Sequence, residues 1–119
     1  MDQSVYWNLE LHIKPEKKDT LQSLIDDMSA STKENEAGTL NYEWQVNEDM
    51  TECHIFERYT DSDALMVHLG NFQANFAERF FGILDIKRWQ VYGNPNDQVK
   101  ETLGSMGAQF LGRAGGFSR

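Results

Sequence analysis

The sequence lacks the residues on which disulfide, zinc and nucleotide chemistry usually rest. Its one cysteine, Cys53, has no partner for an internal disulfide, and a single thiol without cysteine or histidine at ligand spacing makes no zinc site. No G-x-G-x-x-G follows a strand pattern and no Walker sequence occurs, so a nucleotide cofactor has no support. No run approaches the ~18 apolar residues of a membrane-spanning helix. Residues 1–3 pass at once into an alternating pattern, without the basic and apolar regions of an export signal. Basic runs are missing too: 11 Lys and Arg stand against 19 Asp and Glu, a formal charge of -8. Such a field repels phosphate backbones and anionic lipid, so neither nucleic acid nor a membrane surface is expected as a partner. These absences suggest a soluble protein in a reducing, cytoplasmic setting.

What is present suits one domain, since 119 residues are enough for one sizeable core. Val5, Trp7, Leu9, Leu11 and Ile13 alternate with Tyr6, Asn8, Glu10 and His12, as in a strand with one buried face. Pro15 suits a helix start, and Leu21, Leu24, Ile25 and Met28 recur at helical spacing before Gly38, predicting a helix over about 15–35. GTLNYEWQV and ECHIFERY, joined by a polar loop, read as a hairpin. Thr60 to Asp63 has the spacing of a capping box, with Asp61 a rival N-cap, and Leu65, Leu69, Phe72, Phe76 and Phe80 make the apolar stripe of a second helix closed by Gly82. A fourth strand over about 83–92 ends at Gly93, Asn94 and Pro95. The order βαββαβ predicts an α+β ferredoxin-like plait, a four-stranded antiparallel sheet with two helices on one face. Beyond it, Val99, Leu103, Met106 and Phe110 sketch a third helix, followed by the tail GRAGGFSR.

EAGTLNYEW, HIFERYTDSDALMVHL and a strand ending in VYG, in this order and spacing, resemble the antibiotic biosynthesis monooxygenase (ABM) family over about residues 4–93. The resemblance implies an ABM domain over 1–94 with a C-terminal helix and tail over 95–119. It implies a homodimer whose sheets pack face to face as a dimeric α/β barrel, with a pocket between sheet and helices in each subunit. It also implies one of several activities, because some members oxidise quinols or polyketide aromatics with molecular oxygen and no metal or flavin, others degrade haem, and others have none known. The sequence itself agrees on the dimer. The helix-free sheet face is expected to combine Phe56, Leu84, Ile86 and Tyr92 with polar residues such as Asn8, Glu10 and His54, which suits a partly hydrated interface.

Glu57 and His68 are the expected catalytic residues. Seven residues after Asp61, His68 stands about 10 Å along its helix at a rise of about 1.5 Å per residue. Glu57, four residues before Asp61, stands about 13 Å along its strand at about 3.3 Å per residue, so the two are level. Cys53, Ile55, Glu57 and Tyr59 share a strand face under the helices, and Asn71 and Asn75 continue the polar flank of His68. The expected substrate-binding residues are therefore Tyr59, Asn71 and Asn75 with aromatic walls from Trp7, Trp44, Phe72 and Phe76. Such a pair could hold one mobile proton near neutrality, with either member the base. The plainer alternative is a buried acid and histidine that only satisfy one another.

His12 and His54 also share a sheet face. With their strands taken as parallel neighbours they would lie about 20 Å apart, so no protein-ligated metal is expected. Cys53 is expected to be inert. Phe117 and Arg119 are either a free end or a dock for a partner subunit. The leading functional expectation is a cofactor-independent monooxygenase acting on a small electron-rich, quinol-like aromatic with molecular oxygen. A non-catalytic dimeric protein that binds a small ligand or serves in a stress response is the rival, and haem degradation a third, with no distinctive haem ligand beyond His68.

Overall fold

A computed structural model of the protein describes residues 2–119. Its elements are strand β1 (Val5–Ile13), helix α1 (Leu21–Asn35), strands β2 (Thr39–Val46) and β3 (Glu52–Tyr59), helices α2 (Ser62–Asn75) and α3 (Ala77–Ile83), strand β4 (Leu84–Gly93), helix α4 (Asp97–Ser105) and strand β5 (Gln109–Phe110). The sheet order is β2-β3-β1-β4-β5, with β1 central and antiparallel to both β3 and β4. The ferredoxin-like plait is thus present, with a fifth strand added at the β4 edge. Alternation in β1 buries Val5, Trp7, Leu9, Leu11 and Ile13 beneath the helices. Among the described residues no helix is long and apolar enough to cross a membrane.

Local chemistry explains where the elements depart from expectation. The predicted first helix is a 3-10 turn, Pro15–Thr20, leading into α1. That turn buries nothing, so no packing draws it into α-helical form. Asp61, not Thr60, caps α2, accepting from the Ala64 backbone N–H at 2.8 Å. Phe76, at φ -130°, interrupts the second helix and divides it into α2 and α3. The rings of Phe72 and Phe80 then meet edge to face at 5.1 Å.

A β-bulge corrects the assignment of one sheet face. Glu10 opposes Arg88 while Leu11 opposes Ile86, so Lys87 is the extra residue and the alternation of β4 reverses there. Leu84 is consequently 0% exposed in the core, and Ile86 lines a cavity under the helices, so neither belongs to the helix-free face. That face keeps an aromatic cluster in which the Tyr6 ring lies 6.4 Å from Phe56 and 5.6 Å from Tyr92.

The separation of His12 and His54 is corrected as well. Their strands are antiparallel, Glu10 facing His54 and His12 facing Glu52, so the two histidines are diagonal neighbours. One ligand atom each of Glu10, Glu52 and His54 lie within 4.8 Å of one another, a set able to hold a divalent cation. The Lys87 ammonium group pairs with Glu52 at 2.5 Å and competes for that role.

The chain after β4 does not form the predicted stripe up to Phe110. Asn96 caps α4, and Val99 and Leu103 are fully buried. Gly107, at φ +97°, then ends the helix in a Schellman arrangement: its N–H donates to the Gly104 carbonyl, and the Ala108 N–H to that of Leu103. The reversal puts Phe110 into β5, parallel to β4 and opposite Val91.

Candidate active site

The site begins with the central strands. In register, Tyr42 of β2, Glu57 of β3 and Trp7 of β1 form a row across the inner face of the sheet. The Trp7 indole N–H donates to Glu57 Oε2 at 2.8 Å, and the Tyr59 hydroxyl donates to Oε1. From α2, His68 brings Nε2 to 3.1 Å from the same Oε1. Glu57 and His68 are 3% and 6% exposed, and they are level as the two rises predict.

A third charged residue completes the site. His68 Nδ1 lies 2.7 Å from Glu36 Oε1, which also accepts from the Thr39 hydroxyl at 3.0 Å. Asn71 reaches Glu36 Oε2 at 3.4 Å. Glu36 caps the C-terminus of α1 and is 6% exposed. It is carried inward because the following loop packs directly on α2: a Cβ on Gly38 would come within 2.5 Å of the Ala64 Cβ. The Gly38 carbonyl also accepts from the Thr60 N–H at 2.9 Å. Sequence reasoning missed Glu36, although a signal was there. An acid at a helix C-terminus opposes the helix dipole and calls for a compensating cation.

Carboxylates face both ring nitrogens of His68, and an imidazole can donate from both only when protonated. Burial alone would lower its pKa, but hydrogen bonds to Glu36 and Glu57 and their charges outweigh burial and hold it at about 9. Burial would raise Glu36; the hydrogen bond and charge of His68 bring it below its ordinary value. His68 is therefore an imidazolium around neutrality, clamped between two acids and unavailable as a proton acceptor.

Trp7, Tyr42, Glu57, His68, Phe72 and Trp89 are among the residues lining a narrow, mostly apolar cavity of about 40 Å³. That volume holds a few water molecules, against several hundred Å³ for a typical ligand site, so entry of an aromatic ring requires side chains to move. Phe81, 41% exposed and also in the wall, is the outermost large side chain to displace. Of the other expected binding residues, Tyr59 is wholly buried behind Glu57 and Asn71 attends Glu36. Trp44 and Phe76 pack on the core without lining the cavity, and Asn75 is exposed, pointing to no shared site with His68. Tyr42 and Trp89 were not anticipated.

Comparison with known proteins agrees with this architecture. MupZ from Pseudomonas fluorescens is 26% identical with a TM-score of 0.85, over 98% of this chain and 95% of that one. Rv0793 from Mycobacterium tuberculosis is 25% identical with a TM-score of 0.60, over 79% and 97%. A conserved protein from Methanosarcina mazei, at 17% identity and a TM-score of 0.62 over 78% and 94%, shares the fold. No curated protein matches the chain. The family model of antibiotic biosynthesis monooxygenases matches residues 4–79, which include Glu36, Glu57 and His68. The chain belongs to the antibiotic biosynthesis monooxygenase family.

Proposed function

We propose that the protein is a cofactor-independent monooxygenase for a small, electron-rich hydroxylated aromatic, with Glu57 the proton acceptor and His68 the fixed cation. The observation that carries this reading is the buried Glu36–His68–Glu57 triad at the wall of an aromatic-lined cavity. Three donors occupy Glu57, and a carboxylate offers about four acceptor positions, which leaves one on Oε2 for a substrate hydroxyl. Proton transfer to Glu57 leaves an electron-rich ring oxyanion beside the His68 imidazolium, which stabilises the negative charge. The oxyanion passes one electron to molecular oxygen, and the ring radical and superoxide join through a new C–O bond. Cleavage of the O–O bond releases water and leaves a carbonyl. For a hydroquinone the balance is quinol plus oxygen giving hydroxyquinone plus water, so the substrate supplies all the electrons.

Oxygen uptake with a panel of quinols tests the proposal. Glu57→Gln is expected to lower kcat/KM by about 100-fold or more, in line with loss of a general base. Uptake no faster than without protein across the panel overturns the enzymatic reading and leaves a ligand-binding one. We further propose a homodimer formed through the helix-free face around Tyr6, Phe56 and Tyr92, supported by the dimeric habit of the family. Light scattering at micromolar concentration should give twice the 13.7 kDa chain mass, and the chain mass itself contradicts it.

A further inference from the structure

The helix-free face of the sheet carries metal-ligating side chains that the proposed reaction does not use. Strand alternation puts Glu10 and His12 of β1 and Glu52 and His54 of β3 on that face, away from the cavity. The register sets Glu10 opposite His54 and His12 opposite Glu52, so two histidines and two carboxylates fill consecutive cross-strand pairs. Directly opposed side chains stand about 5 Å apart at Cβ, close enough to share one ion. The aromatic cluster lies at the other end of the face: Tyr6 and His12 stand about 20 Å apart along β1 at about 3.3 Å per residue.

The ligand atoms converge. His54 Nε2 lies 2.9 Å from Glu52 Oε2 and 4.0 Å from Glu10 Oε1, and one ligand atom of each residue falls within 4.8 Å of the others. Around a tetrahedral zinc ion with bonds of about 2.0–2.1 Å, neighbouring donors stand about 3.3 Å apart, so modest rotation of half-buried side chains closes the set. Lys87 supplies the countercharge within the chain. Its ammonium group takes Glu52 Oε1 at 2.5 Å, which leaves Oε2, the oxygen facing His54, to a cation. One ammonium group offsets only one of the carboxylates, so the block stays negative when His54 is neutral. The histidine separates this block from a plain acidic patch, because an imidazole nitrogen beside carboxylate oxygens suits a transition cation, whereas magnesium and calcium favour oxygen alone.

We propose that Glu10, Glu52 and His54 form a site for a divalent transition cation, best filled by Zn²⁺, with His12 within reach as a fourth ligand. The ion ties β1 to β3 and stands on the opposite side of the sheet from Glu57 and His68. Its role is therefore structural, and the proposed oxidation remains free of metal.

Isothermal titration of ZnCl₂ into the chelator-treated full chain at pH 7.5 tests this, with MgCl₂ as the comparison. One Zn²⁺ should bind per chain, at least tenfold more tightly than Mg²⁺. Glu10→Gln and His54→Ala should each weaken zinc binding at least tenfold, since even the residues that support a metal ligand are worth about 10–100-fold. His12→Ala should weaken it less than His54→Ala does. Lys87→Gln removes a competing charge and should tighten binding severalfold. These side chains are half-buried or exposed, so the variants should keep the fold. Zinc should raise the melting temperature of the native protein and leave that of His54→Ala unchanged. Absence of zinc binding, equal affinity for Mg²⁺, or affinity unchanged in Glu10→Gln or His54→Ala overturns the proposal. Weaker zinc binding by Lys87→Gln also contradicts it, because an ammonium group repels the ion.

Discussion

His68 shows how one side chain acquires a role its residue type does not specify. As a histidine level with Glu57 it was legible from the rises of helix and strand, but its protonation state depends on Glu36, 32 residues earlier and unmarked by any local motif. With only Glu57 in view the pair would share a proton; with Glu36 added, both ring nitrogens must donate. Because the folded pKa of about 9 lies above the ordinary 6.5, the stabilisation is complete below about pH 6.5 and lost as pH rises through about 9. Glu36, held below its ordinary 4.5, contributes fully above that value and loses its contribution as pH falls through its folded value. Both statements describe one ion pair and count once. Melting temperature should therefore be highest between about pH 4.5 and 6.5 and decline towards pH 9, with at most ~3 kcal/mol at stake. In His68→Gln the alkaline decline should flatten; an equally steep decline would assign it to other groups.

At the scale of elements, the alternating and helical periods revealed the four strands of the plait and the main helices, since both rest on burial of one face. What they could not reveal were single-residue irregularities. Lys87 at the bulge turns Leu84 into the core and Ile86 to the cavity side of the sheet, Phe76 divides a helix whose apolar stripe reads as continuous, and Gly107 sends Phe110 into a strand. The antiparallel pairing of β1 and β3, which brings His12 beside His54, already follows from an antiparallel plait, and taking these two strands as parallel is at odds with it. The α1–β2 loop matters most for the site, because it fixes Glu36. Gly38→Ala would drive a methyl group into Ala64 and push this loop outward. It should cost about 1–3 kcal/mol, the usual penalty of overpacking, measurable as a lower urea midpoint, and should lower the His68 pKa. A variant as stable as the native protein would mean that the loop yields without effect.

For the whole molecule, the segment after the plait belongs to the packed structure. Val99 and Leu103 are 0% exposed, and Met106 forms part of the cavity wall. Removing residues 95–119 uncovers these contacts, and two fully buried aliphatic side chains represent about 3 kcal/mol or more. The truncated chain should melt well below the native one; an unchanged melting temperature would show that the extension is dispensable to the fold. The apolar stripe of this segment was evident in the sequence, but its end at Gly107 and its pairing along β4 were not.

The account turns on a His68 that is protonated around neutrality between Glu36 and Glu57, which is directly measurable by NMR titration of its ring nitrogens. The prediction is that both nitrogens carry protons at pH 7.5, that the ring titrates near pH 9, and that Glu36→Gln brings this value down. A ring that is neutral at pH 7.5, or that titrates at or below about 6.5 in the native protein, would contradict it.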